Sequence, residues 1–512
     1  MQFVTFQFFV FFLGVFLAAF FLKDNKRFYS PLLLLASLSF YLFFGVNFFI
    51  IFLLNIVCNY FLIKAVDKHG KKTLVVSVVL NVLFLAVFKY YNFGIDTFLQ
   101  TLNLLGIPAD INVLRILIPV GISFYTFRNI SHLVDCYRKE LPIPSFIDFA
   151  NYVAFFPQIM SGPIVRAKDF YPYLHEPRKF QYSSGLIITL ILSGLIKKYV
   201  LASYLYDFSS APFTSPTNYS SLDLVMAALA YTMMIFVDFS GYSDFAIAFS
   251  NLLGFNVLPN FNSPYRAIGL KDFWARWHIS LSTWLKDYVY IPLGGSRKGT
   301  ARKYLNIILT MFISGLWHGA GLTFVVWGLL HGIGSVVSHL ISDFFSRRSA
   351  PKIKTANAEI FDNSASEKNL FADADEKEFD NEVENLLENI EPQETSNKSS
   401  LVLNFIGWLI TFVYVAFAWI FFTASSIGNA LSFIGSMFVS TIAENKIFNF
   451  RLLLVLAVVL LFNFIGEKTF DKCIGFFDKM PLAWRIPVVT IAVYLILQLG
   501  PETVPPFIYF NF

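Results

Sequence analysis

Apolar residues in this chain neither alternate nor recur on one face; they run. Long apolar stretches occur near residues 3–22, 30–45, 47–64, 73–90, 114–134, 184–206, 222–249, 304–317, 322–345, 401–423, 452–466 and 482–500. A stretch of roughly 20 such residues crosses a bilayer as a helix, so the pattern predicts an all-α polytopic membrane protein. Several stretches are short for a full crossing, which sets the expectation at about 11 or 12 spans plus re-entrant elements. Residues 143–165 interrupt an apolar stretch with Pro157, Ser161-Gly162 and Pro163. Broken backbone at membrane depth is tolerated where protein buries it or a cavity receives it, so this segment reads as re-entrant or tilted. No repeat of solenoid or inverted-transporter type stands out.

Polarity divides the chain into three parts. Residues 1–345 form an expected membrane core, 346–400 an acidic, mostly disordered cytoplasmic linker, and 401–512 the C-terminal helices that complete the bundle. The linker is charged and poor in aromatics, a composition that cannot bury enough apolar surface to order itself. Its segment FDNEVENLLENI has apolar residues at about helical period.

Composition sharpens this picture. Of 512 residues, 56% are hydrophobic and 14% charged, where a soluble domain is about a quarter charged. That excludes an ordinary soluble enzyme. The net charge of +5 hides an asymmetry: residues 351–400 hold thirteen acids and five bases, a net of −8, which leaves +13 elsewhere. The bases cluster at Lys23/Lys26/Arg27, Lys64/Lys68/Lys71/Lys72, Arg138/Lys139, Arg266 to Lys303, Arg347/Arg348 and Lys468/Lys472/Lys479. These fall on one side if each run spans once, and by the positive-inside rule that side is cytoplasmic. Both termini then face outward. The first apolar run precedes its bases, so it reads as a retained helix and not a cleaved signal. Cys58, Cys136 and Cys473 match no redox or zinc spacing.

Ionisable groups within apolar surroundings are expensive and therefore informative. Asp238, Asp244, His278, His318 and His331 all occur between residues 236 and 332. His318 lies in Trp317-His318-Gly319, at the junction of two apolar runs, where a histidine can serve as general base near neutral pH. His278 ends Phe273-Trp274-Ala275-Arg276-Trp277-His278, an aromatic and basic frame typical of a membrane interface. Two histidines 40 residues apart make no zinc motif, and no metal is expected. Asp238 and Asp244 are read as ion-pair partners of Arg266 or Arg276. His331 lies nearly four helical turns past His318 and reads as a packing residue on the same side. His69, His132, His175 and His339 read as loop or interface residues. Gly294, Gly295, Ser296, Arg297 and Lys298 form a basic, glycine-rich loop without Walker spacing. Its amides and bases suit the phosphates of a thioester donor or an acidic carrier protein. Nothing points to nucleic acid.

Five blocks in order, PVGISFYTFRNISHLVDCYR at 119–138, FFPQIMSGPIVRA at 155–167, FVDFSGYSDFAIAFSNLLGF at 236–255, FWARWHISLSTWLKDYVYIPLGGSR at 273–297 and ISGLWHGAG at 313–321, carry a family resemblance. The chain resembles the membrane-bound O-acyltransferases, within the bacterial branch of alginate and peptidoglycan O-acetylation and D-alanyl transfer. The motif region spans about residues 115–332, and the linker is longer and more acidic than the family pattern. The resemblance implies a ring of helices around a tunnel, with His318 at the invariant histidine and His278 at the second motif position. Acyl transfer needs a base and an oxyanion donor. His318 is the expected base and His278 the acyl-positioning or oxyanion partner, with Trp317, Trp277, Arg276, Asp238, Asp244 and His331 as further polar or tunnel candidates. The implied donor is acetyl-CoA or a carrier-protein phosphopantetheine thioester, and the implied partners are membrane lipid, an extracytoplasmic O-acetyltransferase and an acyl carrier protein. The expected reaction is O-acetylation of a surface polysaccharide at the bacterial inner membrane. Residue usage leans to peptidoglycan, with alginate or another exopolysaccharide next and D-alanylation of teichoic acid behind. A transporter or flippase is the non-enzymatic alternative.

Overall fold

The computed structural model describes residues 3–107, 113–160, 162–175, 183–349, 398–442, 444–464, 467–501 and 504–508. The middle of the expected linker, with its FDNEVENLLENI segment, lies outside the described residues. Everything regular among the described residues is helical. Among the described residues, seven helices are long and apolar enough to cross a membrane: Val46–His69, Lys71–Leu104, Ser184–Thr214, Ser221–Leu252, Leu322–Asp343, Leu401–Thr423 and Leu482–Leu499. An eighth is available if Phe450–Phe464 and Lys468–Lys479, bent by 88°, count as one. The protein is therefore a multi-pass membrane protein, with fewer full-length spans than the 11 or 12 expected. The difference lies in runs that fold into shorter or more polar pieces. Phe6–Leu22 has 17 residues, about 26 Å of rise against a hydrocarbon core of about 30 Å. Run 114–134 contributes only the helix Ile122–Tyr137.

Ser221–Leu252 is the central helix. Its most apolar window is 83% buried, against 6% for Leu482–Leu499 on the rim. It can be so enclosed because glycines let a neighbour come close: a Cβ on Gly241 would sit 3.0 Å from Lys197 Cβ, and one on Gly194 would meet the Gly241 carbonyl oxygen at 3.0 Å. Small residues at such crossings are the usual means of close helix packing in membranes. The neighbour widens into a π turn at Ile196–Leu201, which presents two successive lysines to the central helix. Lys197 Nζ donates to Asp244 Oδ2 at 2.8 Å and Lys198 Nζ to Asp238 Oδ1 at 2.5 Å. The acids therefore pair with these lysines, not with Arg266 or Arg276 as expected from sequence. Arg276 reaches one turn back to Asp272 at 2.6 Å. The pairing failed in sequence because Lys197 and Lys198 lie 47 and 40 residues from their acids, and only the glycine crossing joins them.

The Lys198–Asp238 pair also fastens the end of the chain. Lys198 Nζ donates to the Pro505 carbonyl at 3.0 Å, and the Ile508 amide donates to Asp238 Oδ2 at 3.0 Å. Elsewhere, buried amides join three helices: Asn81 Nδ2 donates to Asn59 Oδ1 at 2.7 Å and Asn129 Nδ2 to Asn55 Oδ1 at 2.8 Å.

Segment 143–165 behaves as its prolines predict. It forms two short helices, Phe146–Ala154 and Phe156–Ile159, broken at Phe155 and buried from Phe149 to Ile159. Arg128 repairs the break by donating to the Tyr152 carbonyl at 2.6 Å and to Gln158 Oε1 at 2.7 Å. His132, expected in a loop or interface, is instead buried, with Nε2 2.6 Å from the Tyr171 hydroxyl.

Asp238→Ala leaves the fully buried Lys198 without its carboxylate, a loss worth about 3–5 kcal/mol. We expect a clearly lowered melting temperature of the purified protein in detergent, with Asp238→Leu/Lys198→Met recovering most of it. Equal melting of Asp238→Ala and wild type would count against the pair as a structural fastener.

Candidate active site

His318 is the last residue of the helix Thr300–His318, and Gly319 leaves it in an extended conformation. A helix end exposes four carbonyls without intrahelical partners. Here all four are satisfied. The Gly319 amide donates to Gly315 O at 3.4 Å, the Tyr90 hydroxyl to Leu316 O at 2.6 Å, and Lys89 Nζ to both Trp317 O and His318 O, the latter at 2.9 Å. Tyr90 and Lys89 come from the middle of the span Lys71–Leu104. The buried His318 ring stands edge-on to Trp327 with centroids 4.8 Å apart, and close to Phe422 at 5.1 Å and Trp317 at 4.6 Å. Trp317 in turn stacks on Phe127 at 5.0 Å. A cavity of about 70 Å³ reaches His318; Lys89, Gly121, Ser123, Met160 and Trp317 also line it.

His278 occupies a second helix break. It sits between Leu270–Arg276 and Ile279–Leu285 with φ +45°, a left-handed conformation that few non-glycine residues adopt. Asn260 holds it there. Its backbone carbonyl accepts from the Ile279 amide at 2.9 Å, and its Oδ1 accepts from the Ser280 amide at 3.1 Å and the Ser280 hydroxyl at 2.9 Å. The backbone amide requires that this side-chain atom be the oxygen. His278 Nδ1 lies 3.2 Å from the same Oδ1 and so must be the protonated nitrogen. In the neutral ring Nε2 then carries the lone pair, and it has no hydrogen-bond partner among the described residues. Phe239 meets the ring edge at 4.6 Å.

The remaining candidates fall into three places. His278 and His331, with Lys89, lie within electrostatic range of His318. His331 gets there by a route other than the one inferred from its spacing: the helix breaks after His318, and His331 lies on the next helix, Leu322–Ser349, where its ring also meets Trp327 at 4.8 Å. Trp277 joins the cluster through Trp419 at 5.1 Å, and Trp419 stacks on Trp327 at 5.7 Å. Asp238 and Asp244 are committed to lysines, and Arg276 is a partly buried residue paired with Asp272. Gly294, Gly295, Ser296, Arg297 and Lys298 lie before Thr300, at the other end of His318's helix. The two glycines adopt positive φ, Asn306 Nδ2 donates to Gly295 O at 2.8 Å, and Ser296, Arg297 and Lys298 are exposed. About 27 Å of helix rise separates this loop from His318. Sequence reasoning missed Lys89, Tyr90, Asn260, Trp327 and Trp419. Lys89 alone left a usable signal, a charge inside the apolar run 73–90.

This arrangement, a buried histidine on a cavity with a second histidine nearby, can be compared with known proteins. Residues 37–358 match the family model described as MBOAT, membrane-bound O-acyltransferase family. The chain belongs to the membrane-bound O-acyltransferase family. A probable alginate O-acetylase of Pseudomonas putida is 32% identical over 98% of both chains, and one of Pseudomonas aeruginosa is 40% identical over 63% of both. A peptidoglycan O-acetyltransferase of Helicobacter pylori is 32% identical over 83% of this chain and 76% of its own. The Pseudomonas aeruginosa match thus covers under two thirds of that relative, whereas the Pseudomonas putida match runs nearly end to end. Family membership assigns the chain to O-acyl transfer and covers the segment that holds both His278 and His318.

Asn260→Ala should free the His278 ring to turn and change tautomer, lowering acyl transfer about 10- to 100-fold, the usual cost of losing an orienting partner. Asn260→Asp keeps the acceptor oxygens and should retain more activity than Asn260→Ala. Comparable rates for both variants and wild type, at matched protein levels in isolated membranes, would show that the orientation is not needed.

Proposed function

We propose that the chain takes an acetyl group from a thioester on the cytoplasmic face of a bacterial inner membrane and delivers it for O-acetylation of a cell-surface polysaccharide. The observation that carries this reading is His318: a buried imidazole, fixed at a helix end, that opens onto a cavity within a membrane-embedded family fold. As general base it takes the proton of an attacking hydroxyl. His278, with its lone pair on Nε2, serves to position the acyl group or the incoming hydroxyl; as a neutral ring it cannot donate to an oxyanion from that nitrogen. The exposed basic loop at Gly294–Lys298 suits the phosphates of acetyl-CoA, or a phosphopantetheine thioester on an acidic carrier protein. Lying a whole helix length from His318, it fits a donor that threads a long arm inward. An extracytoplasmic O-acetyltransferase is the proposed recipient of the acetyl group. The named relatives act on alginate or peptidoglycan, and both polymers stand as candidate substrates.

The test is His318→Ala in the native strain, with its membrane level checked by immunoblot and O-acetyl content of peptidoglycan and exopolysaccharide measured by mass spectrometry. The expected result is loss of O-acetyl groups from one polymer, which identifies the substrate. Unchanged O-acetylation of every surface polymer would overturn the proposal, and full transfer by the variant would favour a carrier without chemistry.

A further inference from the structure

Lys89 caps the end of the His318 helix, yet its setting suits more. It lies in the middle of the span Lys71–Leu104, is buried, and forms no ion pair with a carboxylate among the described residues. An ammonium stranded at membrane depth is costly, and such residues mark function. Its Nζ donates to the Trp317 and His318 carbonyls, at the negative end of the helix Thr300–His318, where a cation is favoured. An ammonium has three N–H donors, so two are spent and one remains. Lys89 lines the same cavity of about 70 Å³ as His318. Trp317 closes one side, its ring centroid 5.4 Å from Nζ.

The candidate for an oxyanion donor named from sequence was His278, but its Nδ1 is committed to Asn260 and its Nε2 is an acceptor in the neutral ring. Nor is His278 among the residues that line the cavity. We propose that Lys89 is a catalytic residue of the acyl transfer, giving its remaining N–H to the thioester carbonyl oxygen as negative charge develops there, next to His318. The proposal rests on the acyl-transfer reading of His318. In the step, the acceptor oxygen bonds to the carbonyl carbon while its proton passes to His318 and the C=O pair moves onto oxygen. Lys89 donates to that oxyanion. Collapse re-forms C=O and breaks C–S, and the leaving thiolate takes the proton back from His318. The two carbonyl contacts hold Lys89 and the His318 backbone in one rigid unit, so donor and base keep their spacing without help from substrate.

The experiment uses membrane vesicles that carry the full chain and its acceptor system, supplied with acetyl-CoA. Removal of one oxyanion donor costs about 10²–10³ in kcat. Lys89→Met should therefore lower the maximal rate about 100-fold while the KM for acetyl-CoA changes by less than about threefold. A maximal rate within about threefold of wild type, or a loss expressed mainly in KM, would overturn the proposal. Lys89→Arg and Lys89→Gln separate charge from clamp, since both retain donors for the two carbonyls. Arg should retain far more of the rate than Gln at equal melting temperature; equal rates in the two would also overturn it, and this comparison decides if Lys89→Met fails to insert. Inactive His318→Ala beside fully active Lys89→Met would sink this proposal alone, whereas active His318→Ala would sink the reading beneath it.

Discussion

At membrane depth a backbone group that leaves a helix has no water to turn to. Each helix break around the cavity is met by a polar side chain reaching in from another element. Arg128 supplies the carbonyl freed before Phe155. Lys89 and Tyr90 supply the carbonyls at the end of the His318 helix. Asn260 takes the amides at the His278 break. An intact helix would need none of them, and it would also point its side chains outward at fixed intervals of about 100°. Breaking the helix lets a histidine sit at a terminus, where its backbone can be gripped and its ring aimed inward. The polar side chains that seem out of place in apolar runs are thus the cost of bringing chemistry into the bilayer.

The grips are connected through aromatic packing. Trp327 touches both His318 and His331, and Trp419 links Trp327 to Trp277 beside His278. Aromatic side chains lose little rotamer freedom on burial and give large contact areas, so they hold rings in place where lipid offers no directional contact. The same constraint governs the periphery. The buried Lys198–Asp238 pair satisfies two backbone groups of segment 504–508 as well as its own charges. That segment is drawn against the central helix, and Phe507 packs 5.8 Å from Phe239, the ring that abuts His278. The end of the chain is therefore part of the wall behind the second histidine.

Membership in the membrane-bound O-acyltransferase family and the geometry bear on different questions. Membership names the class of reaction. The geometry distributes tasks within it: Nδ1 of His278 is occupied, His318 and Lys89 share a cavity, and the basic loop stands a helix length away. In the proposed reading, donor recognition at the basic loop is separated from chemistry in the interior. Such separation suits a thioester, whose recognisable phosphates lie far from its reactive carbon.

Hydrophobic runs determined the solvent this chain lives in and its all-helical class, because those follow from transfer free energies summed residue by residue. The break at residues 143–165 was equally legible, since proline and paired small residues act locally. His278 and His318 were found through motif and resemblance. Tertiary structure decided what these local signals cannot encode. Lys197 and Lys198 reach Asp244 and Asp238 only because Gly194 and Gly241 let two helices touch. His331 approaches His318 by chain reversal, whereas a continuous helix over the same residues would have held them about 20 Å apart. Tyr90 and Asn260 looked ordinary in sequence, and the charge of Lys89 in an apolar run did not name its partners, for a hydrogen bond to a backbone carbonyl or amide 20 to more than 200 residues away leaves no periodicity to read.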